Sequence, residues 1–340
     1  MTKYSLSSLL LTTLFIYLSC NNVFASSAKV PDDHLHGLNN CTQCHLDGVD
    51  IKNILLSDQS CSSCHTAETL KTYVTKLLRG DYAGKKQVPS TNVVEQSGSH
   101  YYEESKIGTQ PNKMQKIEAG SFTMGSNERL SDEGPQHTVS LAAFFIDQYE
   151  VTNGQYKVFI DATKRRSPSH YRNRTYPHGK VDHPVVFVNW EDANDYCQWA
   201  GKRLPTDQEW EKAARGTDAR RYPWGNEFSL DVANTPLRWA SFNKFGDTTP
   251  VGTFEKGMSP YQLYDMSGNV WEWTSSWYKA YPDNQTSSEN YGERYKTLKG
   301  GSWFDCSFYQ CGISAPTYNR AFFAKKVKND TFGFRCAKDI

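Results

Sequence analysis

The chain has 340 residues, with 38 Lys and Arg against 37 Asp and Glu, so its formal net charge is +1. A length of this size predicts about two domains. The balanced charge gives no electrostatic signature of binding to nucleic acid or to an anionic membrane surface. The one long apolar run, residues 9–18, is about half of the ~20 residues that a bilayer span requires, which excludes a polytopic membrane protein.

The N-terminus has the pattern of a secretory signal peptide over residues 1–25. Lys3 precedes the apolar run, and small residues lead to Ala25, after which we expect cleavage. Lipid attachment at Cys20 is the alternative. Either route exports the mature chain to the periplasm, where disulfides persist.

Two C-x-x-C-H motifs predict a dihaem c-type cytochrome module over residues 30–80. Two thiols at this spacing can form thioethers with the two vinyl groups of one haem, and the adjacent His becomes an iron ligand. The predicted attachment residues are Cys41, Cys44 and His45 in the first motif, and Cys61, Cys64 and His65 in the second.

The same four cysteines also fit the ligand spacing of a zinc ribbon. Zinc does not require a His directly after each Cys pair, however, and export also favours haem. The interpretation as two haem c groups is therefore preferred.

The second axial ligand of each iron is predicted from the residues nearby. No Met lies between Met1 and Met114, whereas His34 and His36 directly precede the first motif. We therefore expect bis-His ligation of at least one haem, and a lower potential than Met ligation would give. Residues 81–113 are rich in Ser, Gln, Lys and Gly and predict a flexible linker.

The C-terminal part, residues 114–338, has an α+β pattern. Strands are predicted over residues 117–125, 139–141 and 144–147. Three helices are predicted, and capping boxes mark the first and third. The first runs from Thr152 to about residue 162, the second from about residue 191 to Gly201, and the third from Thr206 to about residue 215.

Many ordered motifs in this part carry a family resemblance. They are Tyr149-Glu150-Val151-Thr152-Asn153, Gly201-Lys202-Arg203-Leu204-Pro205-Thr206, Gly268-Asn269-Val270-Trp271-Glu272-Trp273, Gly300-Gly301-Ser302-Trp303 and Gly333-Phe334-Arg335. The module resembles the formylglycine-generating enzyme (sulfatase-modifying factor) family. The resemblance implies a C-type-lectin-related fold, usually with bound calcium, but not activity, because many members lack the catalytic cysteines.

The resemblance also implies specific ligands and a disulfide. The expected Ca²⁺ ligands are the side chains of Asp265 and Glu272 and the carbonyls of Gly268 and Val270, a hard oxygen set that suits calcium. The expected disulfide joins Cys197 to Cys336.

Cys306 and Cys311 have the C-x₄-C spacing with which active family members bind Cu(I), and thiolates are soft ligands that favour it. Ser302 and Trp271 match positions that line the family's active site. Cys306 lies one residue further from Gly-Gly-Ser than in active members, and residues 312–316 replace an Arg-rich run. A structural disulfide and unrelated free thiols are the alternatives for this pair.

Two functions follow from these residues. The first is a copper-dependent oxidase of a cysteine in a peptide or periplasmic protein, in this family classically in Cys-x-Pro-x-Arg of a sulfatase, with the haems exchanging electrons. The second is a non-catalytic accessory, in which the C-terminal module docks a periplasmic partner and the haems pass electrons to or from a redox partner protein.

The haem prediction is tested by optical spectra of the exported protein. Two covalently bound haems per chain are expected, without the weak methionine-to-iron band, because no Met is close to the motifs in sequence. The presence of that band would contradict bis-His ligation, and zinc without haem would contradict the module itself.

Overall fold

The computed structural model describes residues 104–242, 244–304 and 316–340. The predicted signal peptide, Cys20, His34, His36 and both C-x-x-C-H motifs lie outside the described residues. So do Cys306 and Cys311.

In these described ranges, nine strands form three small sheets. The strands are β1 (Met114–Ile117), β2 (Gly120–Met124), β3 (His137–Leu141), β4 (Phe144–Asp147), β5 (Trp271–Trp277), β6 (Lys296–Lys299), β7 (Arg320–Phe323), β8 (Phe332–Gly333) and β9 (Ala337–Asp339). The sheet orders are β1-β4-β9, β2-β3 and β7-β6-β5-β8. All pairings are antiparallel except that of β5 with β8.

In the same part of the chain, four helices accompany these sheets: α1 (Asn153–Thr163), α2 (Trp190–Trp199), α3 (Asp207–Arg215) and the short α4 (Pro236–Ser241). The largest apolar cluster joins α1 and α2 to the four-stranded sheet. A second cluster packs α3 against β1, β4 and β9. The domain is therefore a mixed sheet-and-helix fold with two adjoining cores.

The two predicted capping boxes are confirmed. At α1, the backbone N–H of Gln155 donates to Thr152 Oγ1 and the N–H of Thr152 donates to Gln155 Oε1. The same reciprocal pair joins Thr206 and Glu209 at α3. These bonds satisfy donors that the first helical turn leaves free, which explains why both helices begin at these positions.

The prediction of one strand over residues 117–125 was wrong. The chain forms two strands there, β1 and β2, which belong to different sheets. Gly120 stands at the change of direction, at φ 131°. The apolar residues change phase across this break, from odd positions (Ile117, Ala119) to even ones (Phe122, Met124), so the pattern contained a sign of the break that the single-strand prediction overlooked.

The end of the predicted flexible linker is packed against the domain. Asp182 accepts hydrogen bonds from Ser105 Oγ and from the backbone N–H of Lys106. Asn112 is 8% exposed, and its side chain donates to the carbonyl of Tyr149. The ordered domain therefore begins before Met114.

A disulfide joins the end of α2 to the segment before β9. Cys197 and Cys336 are both fully buried, with Cα atoms 5.6 Å apart, and they are separated by 139 residues in sequence. This is the pair that the family resemblance implies. No helix in the described part of the chain is long and apolar enough to cross a bilayer.

Removal of this disulfide should destabilise the domain strongly. A cross-link that closes so long a loop contributes about 5 kcal/mol in the chain-entropy treatment. Replacement of both Cys197 and Cys336 by Ala should lower the free energy of unfolding by about this amount in denaturant titrations. A loss below about 1 kcal/mol would show that the unfolded chain is little constrained by the cross-link.

Candidate functional site

The turn in which calcium is expected, residues 265–270, leads directly into β5. It is called the turn before β5 below. Three of its residues have left-handed backbones: Asp265 at φ 58°, Gly268 at 85° and Asn269 at 60°. The N–H of Gly268 donates to the carbonyl of Gly300 at 2.8 Å, and the N–H of Asn269 donates to the carbonyl of Asn234 at 2.8 Å. The turn is therefore fixed to two other segments by its own backbone.

Gly268 is required by space as well as by conformation. A Cβ at this position would lie 2.2 Å from the carbonyl oxygen of Asn234, which is itself backbone and cannot rotate away. Any other residue would have to separate the turn from the segment that contains Asn234.

Asn269 connects this turn to four segments of the chain. Its side-chain amide donates to Glu150 Oε2 at 2.5 Å, and its Oδ1 accepts from Asn234 Nδ2 and from the N–H of Thr249, both at 3.0 Å. Its carbonyl accepts from the N–H of Trp303 at 2.9 Å. Because Trp303 lies three residues before Cys306, Asn269 fixes the start of the segment that carries the cysteine pair.

Three carboxylates are buried around the turn. Glu150 and Glu272 are fully buried, and Asp265 is 7% exposed. Burial raises the pKa of Asp265 to about 6, although the N–H of Gly252 and the charge of Arg335 oppose the shift. Burial and the charges of Asp265 and Glu272 raise the pKa of Glu150 well above its ordinary value.

Arg335 compensates only part of this negative charge. It forms a two-pronged ion pair with Glu272, with Nε to Oε2 and Nη2 to Oε1 both at 2.7 Å. Trp210 Nε1 donates to the same Oε2 at 2.8 Å. One guanidinium thus faces three buried carboxyl groups, and burial favours the neutral forms of Glu150 and Asp265.

The side chains near this turn do not form an all-acidic metal cluster. Within the described ranges, no group of three or more His, Cys, Asp and Glu side chains is arranged to hold one metal ion. A cation at the turn would therefore need Asp265 and Glu272 together with carbonyl oxygens. One oxygen of Asp265, Oδ2, already accepts a hydrogen bond from the N–H of Gly252.

The two other predicted active-site residues have different environments. Ser302 is fully buried, and its hydroxyl donates to the carbonyl of Phe304. Trp271 is 2% exposed and belongs to the main apolar cluster. The described structure thus places Ser302 beside the start of the cysteine segment and Trp271 in the core.

The sequence interpretation did not assign roles to several residues of this site. Glu150, Asn234, Asn269 and Arg335 organise it, yet three of these appeared only as parts of family motifs and Asn234 not at all. A signal was available for Glu150, Asn269 and Arg335, because each is a polar or charged residue next to a Val or Phe; Asn234 had none. The partner of each residue, more than 60 residues away in most cases, could not be read from the chain.

The steric demand at Gly268 gives a direct test of this geometry. Gly268→Ala and Gly179→Ala both place a side chain at positive φ, 85° and 78°, but nothing lies within 4 Å of a Cβ at Gly179. Gly179→Ala is the control, and it should lose about 1 kcal/mol of unfolding free energy from backbone strain alone. Gly268→Ala should lose about 1–3 kcal/mol more from overpacking, measured by denaturant unfolding. Equal losses would contradict the close approach to Asn234.

Comparison with known proteins places this arrangement in a family. The family model described as "Sulfatase-modifying factor enzyme 1-like domain" matches residues 101–340. Formylglycine-generating enzyme from Bos taurus is 30% identical over 289 residues, which cover 67% of this chain and 75% of that protein. Inactive C-alpha-formylglycine-generating enzyme 2 from the same organism is 31% identical over 273 residues, covering 66% and 87%.

A third relative is much longer. Serine/threonine-protein kinase pkn1 from Chlamydia caviae is 34% identical over 269 residues, which cover 71% of this chain but only 41% of that protein. The shared region is thus about two fifths of the kinase-named protein.

A solved structure has the same fold. PvdO from Pseudomonas aeruginosa superposes with a TM-score of 0.54 at 28% identity, covering 67% of this chain and 95% of the other. With the family model matching most of the chain, and with the fold described above, the protein belongs to the sulfatase-modifying factor family of formylglycine-generating-enzyme-like domains.

Proposed function

We propose that this protein is an exported dihaem cytochrome whose C-terminal domain oxidises a cysteine in a peptide or periplasmic protein substrate. The observation that carries the proposal is the C-x₄-C pair, Cys306 and Cys311, which follows Gly300-Gly301-Ser302 in a domain of this family. Family membership alone does not decide activity, because relatives of nearly equal identity carry the names of an active and of an inactive enzyme.

Cys306 and Cys311 would hold Cu(I) as two thiolate ligands, and the metal would supply the activation of dioxygen. The described residues that precede the cysteine pair in sequence support this role, because the core holds them in place. The hydrogen bonds from Gly268 to Gly300 and from Trp303 to Asn269 hold both sides of Ser302. Substrate would then meet a segment whose first residues are fixed by the core.

The proposed haems match the electron demand of such a reaction. Conversion of a cysteine thiol to an aldehyde with loss of H₂S releases two electrons, whereas reduction of O₂ to water takes four. The overall change, RCH₂SH + O₂ + 2e⁻ + 2H⁺ → RCHO + H₂S + H₂O, needs two electrons from outside the substrate. Two haems, one for each C-x-x-C-H motif, would carry that number.

Calcium is proposed at the turn before β5, with Asp265 and Glu272 as side-chain ligands and Gly268 and Val270 as carbonyl ligands. The support from this structure is the group of three buried carboxyl groups beside the single guanidinium of Arg335, since a divalent cation would stabilise their ionised forms. Oxygen donors of this kind suit calcium.

The alternative function is a non-catalytic accessory that docks a periplasmic partner and passes electrons through the haems. Its support is the displacement of Cys306 by one residue and the replacement of the Arg-rich run by residues 312–316. In that case the Cys306–Cys311 pair would be a structural disulfide.

Mass analysis of a peptide substrate separates the two functions. A Cys-x-Pro-x-Arg peptide, incubated aerobically with the copper-loaded, haem-loaded protein, should be converted to the aldehyde product, which has a lower mass. Cys306→Ser should abolish the conversion, because one thiolate ligand is lost, whereas Ser307→Ala in the same segment should retain it. Unchanged peptide with the copper-loaded wild type would refute the oxidase.

A further inference from the structure

A cleft of about 560 Å³ lies between α1 and α2, and none of its lining residues belongs to the turn before β5. Its lining comes from the C-terminal halves of the two helices and from one residue shortly after α1: Phe159, Thr163, Arg165, Asp195, Gln198 and Trp199. The volume lies within the ordinary range of small-ligand sites, about 300–1,000 Å³. None of the functions discussed above uses this cleft.

Trp199 is the most exposed of the nine Trp side chains, at 37%, whereas all the others are buried or half-buried. Its ring contacts Phe159 at 5.5 Å and Tyr196 at 5.7 Å between centroids, at tilts of 54° and 49°. Neither neighbour stacks parallel on the indole. The indole of Trp199 is therefore held by two neighbouring rings and remains partly exposed where it lines the cleft.

The carboxylates at the cleft are already paired. Arg165 Nη2 lies 3.0 Å from Asp192 Oδ1, and Arg165 also pairs with Asp195. Lys328 Nζ lies 2.6 Å from Asp192 Oδ2. Asp192 and Asp195 together thus face two fixed cations, so they add no uncompensated negative charge to the rim.

The cations next to Arg165 are, by contrast, exposed. Lys164 and Arg166 are its neighbours in sequence, next to the lining residues Thr163 and Arg165, and neither forms an ion pair with a described acidic residue. They belong to a stretch, residues 162–181, without Asp or Glu and with six cations: Lys164, Arg165, Arg166, Arg172, Arg174 and Lys180. Arg174 and Lys180 pair with Asp161 and Asp247, so the positive charge available near the cleft comes mainly from Lys164 and Arg166.

We infer that the cleft binds an acidic saccharide, whose anionic group is either a sulfate or a carboxylate. The C–H face of a sugar ring carries partial positive charge and packs on the electron-rich face of an indole such as Trp199. Thr163, Gln198 and Asp195 offer hydrogen-bonding groups for ring hydroxyls. Lys164 and Arg166 supply charge-assisted contacts to the anionic group.

Two other polyanions fit the observations less well. Single-stranded nucleic acid is held by successive stacking platforms, whereas this cleft has one exposed Trp. A membrane surface is held by protruding apolar side chains, whereas Trp199 shares its cleft with polar and charged groups. The inference is independent of copper, haem and the cysteine pair.

Calorimetric titration of the full exported protein tests it with defined probes. A heparin-derived sulfated hexasaccharide and a hexagalacturonate should both bind, and the tighter of the two identifies the anionic group. Maltohexaose should bind at least about tenfold more weakly, because it lacks the charge that Lys164 and Arg166 recognise. Affinity for both acidic probes should fall as NaCl is raised, since exposed charges are screened.

Two sets of variants separate stacking from charge. Trp199→Ala should weaken binding of the acidic probes about tenfold or more, the usual cost of truncating an aromatic anchor. Trp199→Phe should retain much of it. The pair Lys164→Gln and Arg166→Gln should weaken binding of the acidic probes and reduce its salt dependence.

Matched controls elsewhere on the surface are Phe242→Ala and the pair Lys244→Gln and Lys256→Gln, which should leave affinity unchanged.

Several outcomes would overturn the inference. These are no binding of either acidic hexasaccharide, equal weakening by the control variants, or tighter binding of an oligothymidylate. Binding of phosphatidylglycerol vesicles with no saccharide binding would also overturn it. Circular dichroism of each variant verifies that it is folded, and Trp199→Phe keeps the test valid if Trp199→Ala is unstable.

Discussion

Arg335 is the point at which separate parts of the domain are joined. Its guanidinium forms the buried ion pair with Glu272 at the start of the four-stranded sheet, and it also donates to the carbonyls of Asp147 and Tyr264. Glu272 in turn accepts from Trp210 of α3. Breaking such a pair leaves an uncompensated charge in the interior, which costs about 3–5 kcal/mol. The two cores are thereby fixed relative to the turn before β5. The geometry of the candidate site depends on this fixation.

The same turn connects the charged interior to the segment that carries the cysteine pair. Gly268 and Asn269 form backbone hydrogen bonds to Gly300 and Trp303, and Asn269 is itself held by Glu150. A cation at the turn would therefore act on the cysteine segment through two short backbone contacts. This gives calcium, if it binds there, a positioning role in the proposed chemistry rather than a catalytic one.

The sequence predicted local features well and long-range ones poorly. Thr152 with Gln155 and Thr206 with Glu209 marked helix starts correctly, because a capping box is a local interaction between residues three apart. The division of residues 117–125 into two strands was missed, since the change of phase was overlooked and alternation does not show which sheet a strand joins. The Arg335–Glu272 pair joins positions 63 residues apart, and only the folded chain brings them together. The disulfide was expected from resemblance, not from spacing.

The central claim is that one chain joins haem-based electron transfer to a thiolate-bound copper site. Metal content of the exported, haem-loaded protein tests it most directly, with Cys306→Ser analysed beside the wild type. The account predicts two iron atoms per chain in both proteins and one copper atom in the wild type that is lost from the variant. Iron without copper in both would contradict the oxidase and leave a haem protein with a binding domain, and copper without iron would contradict the cytochrome module.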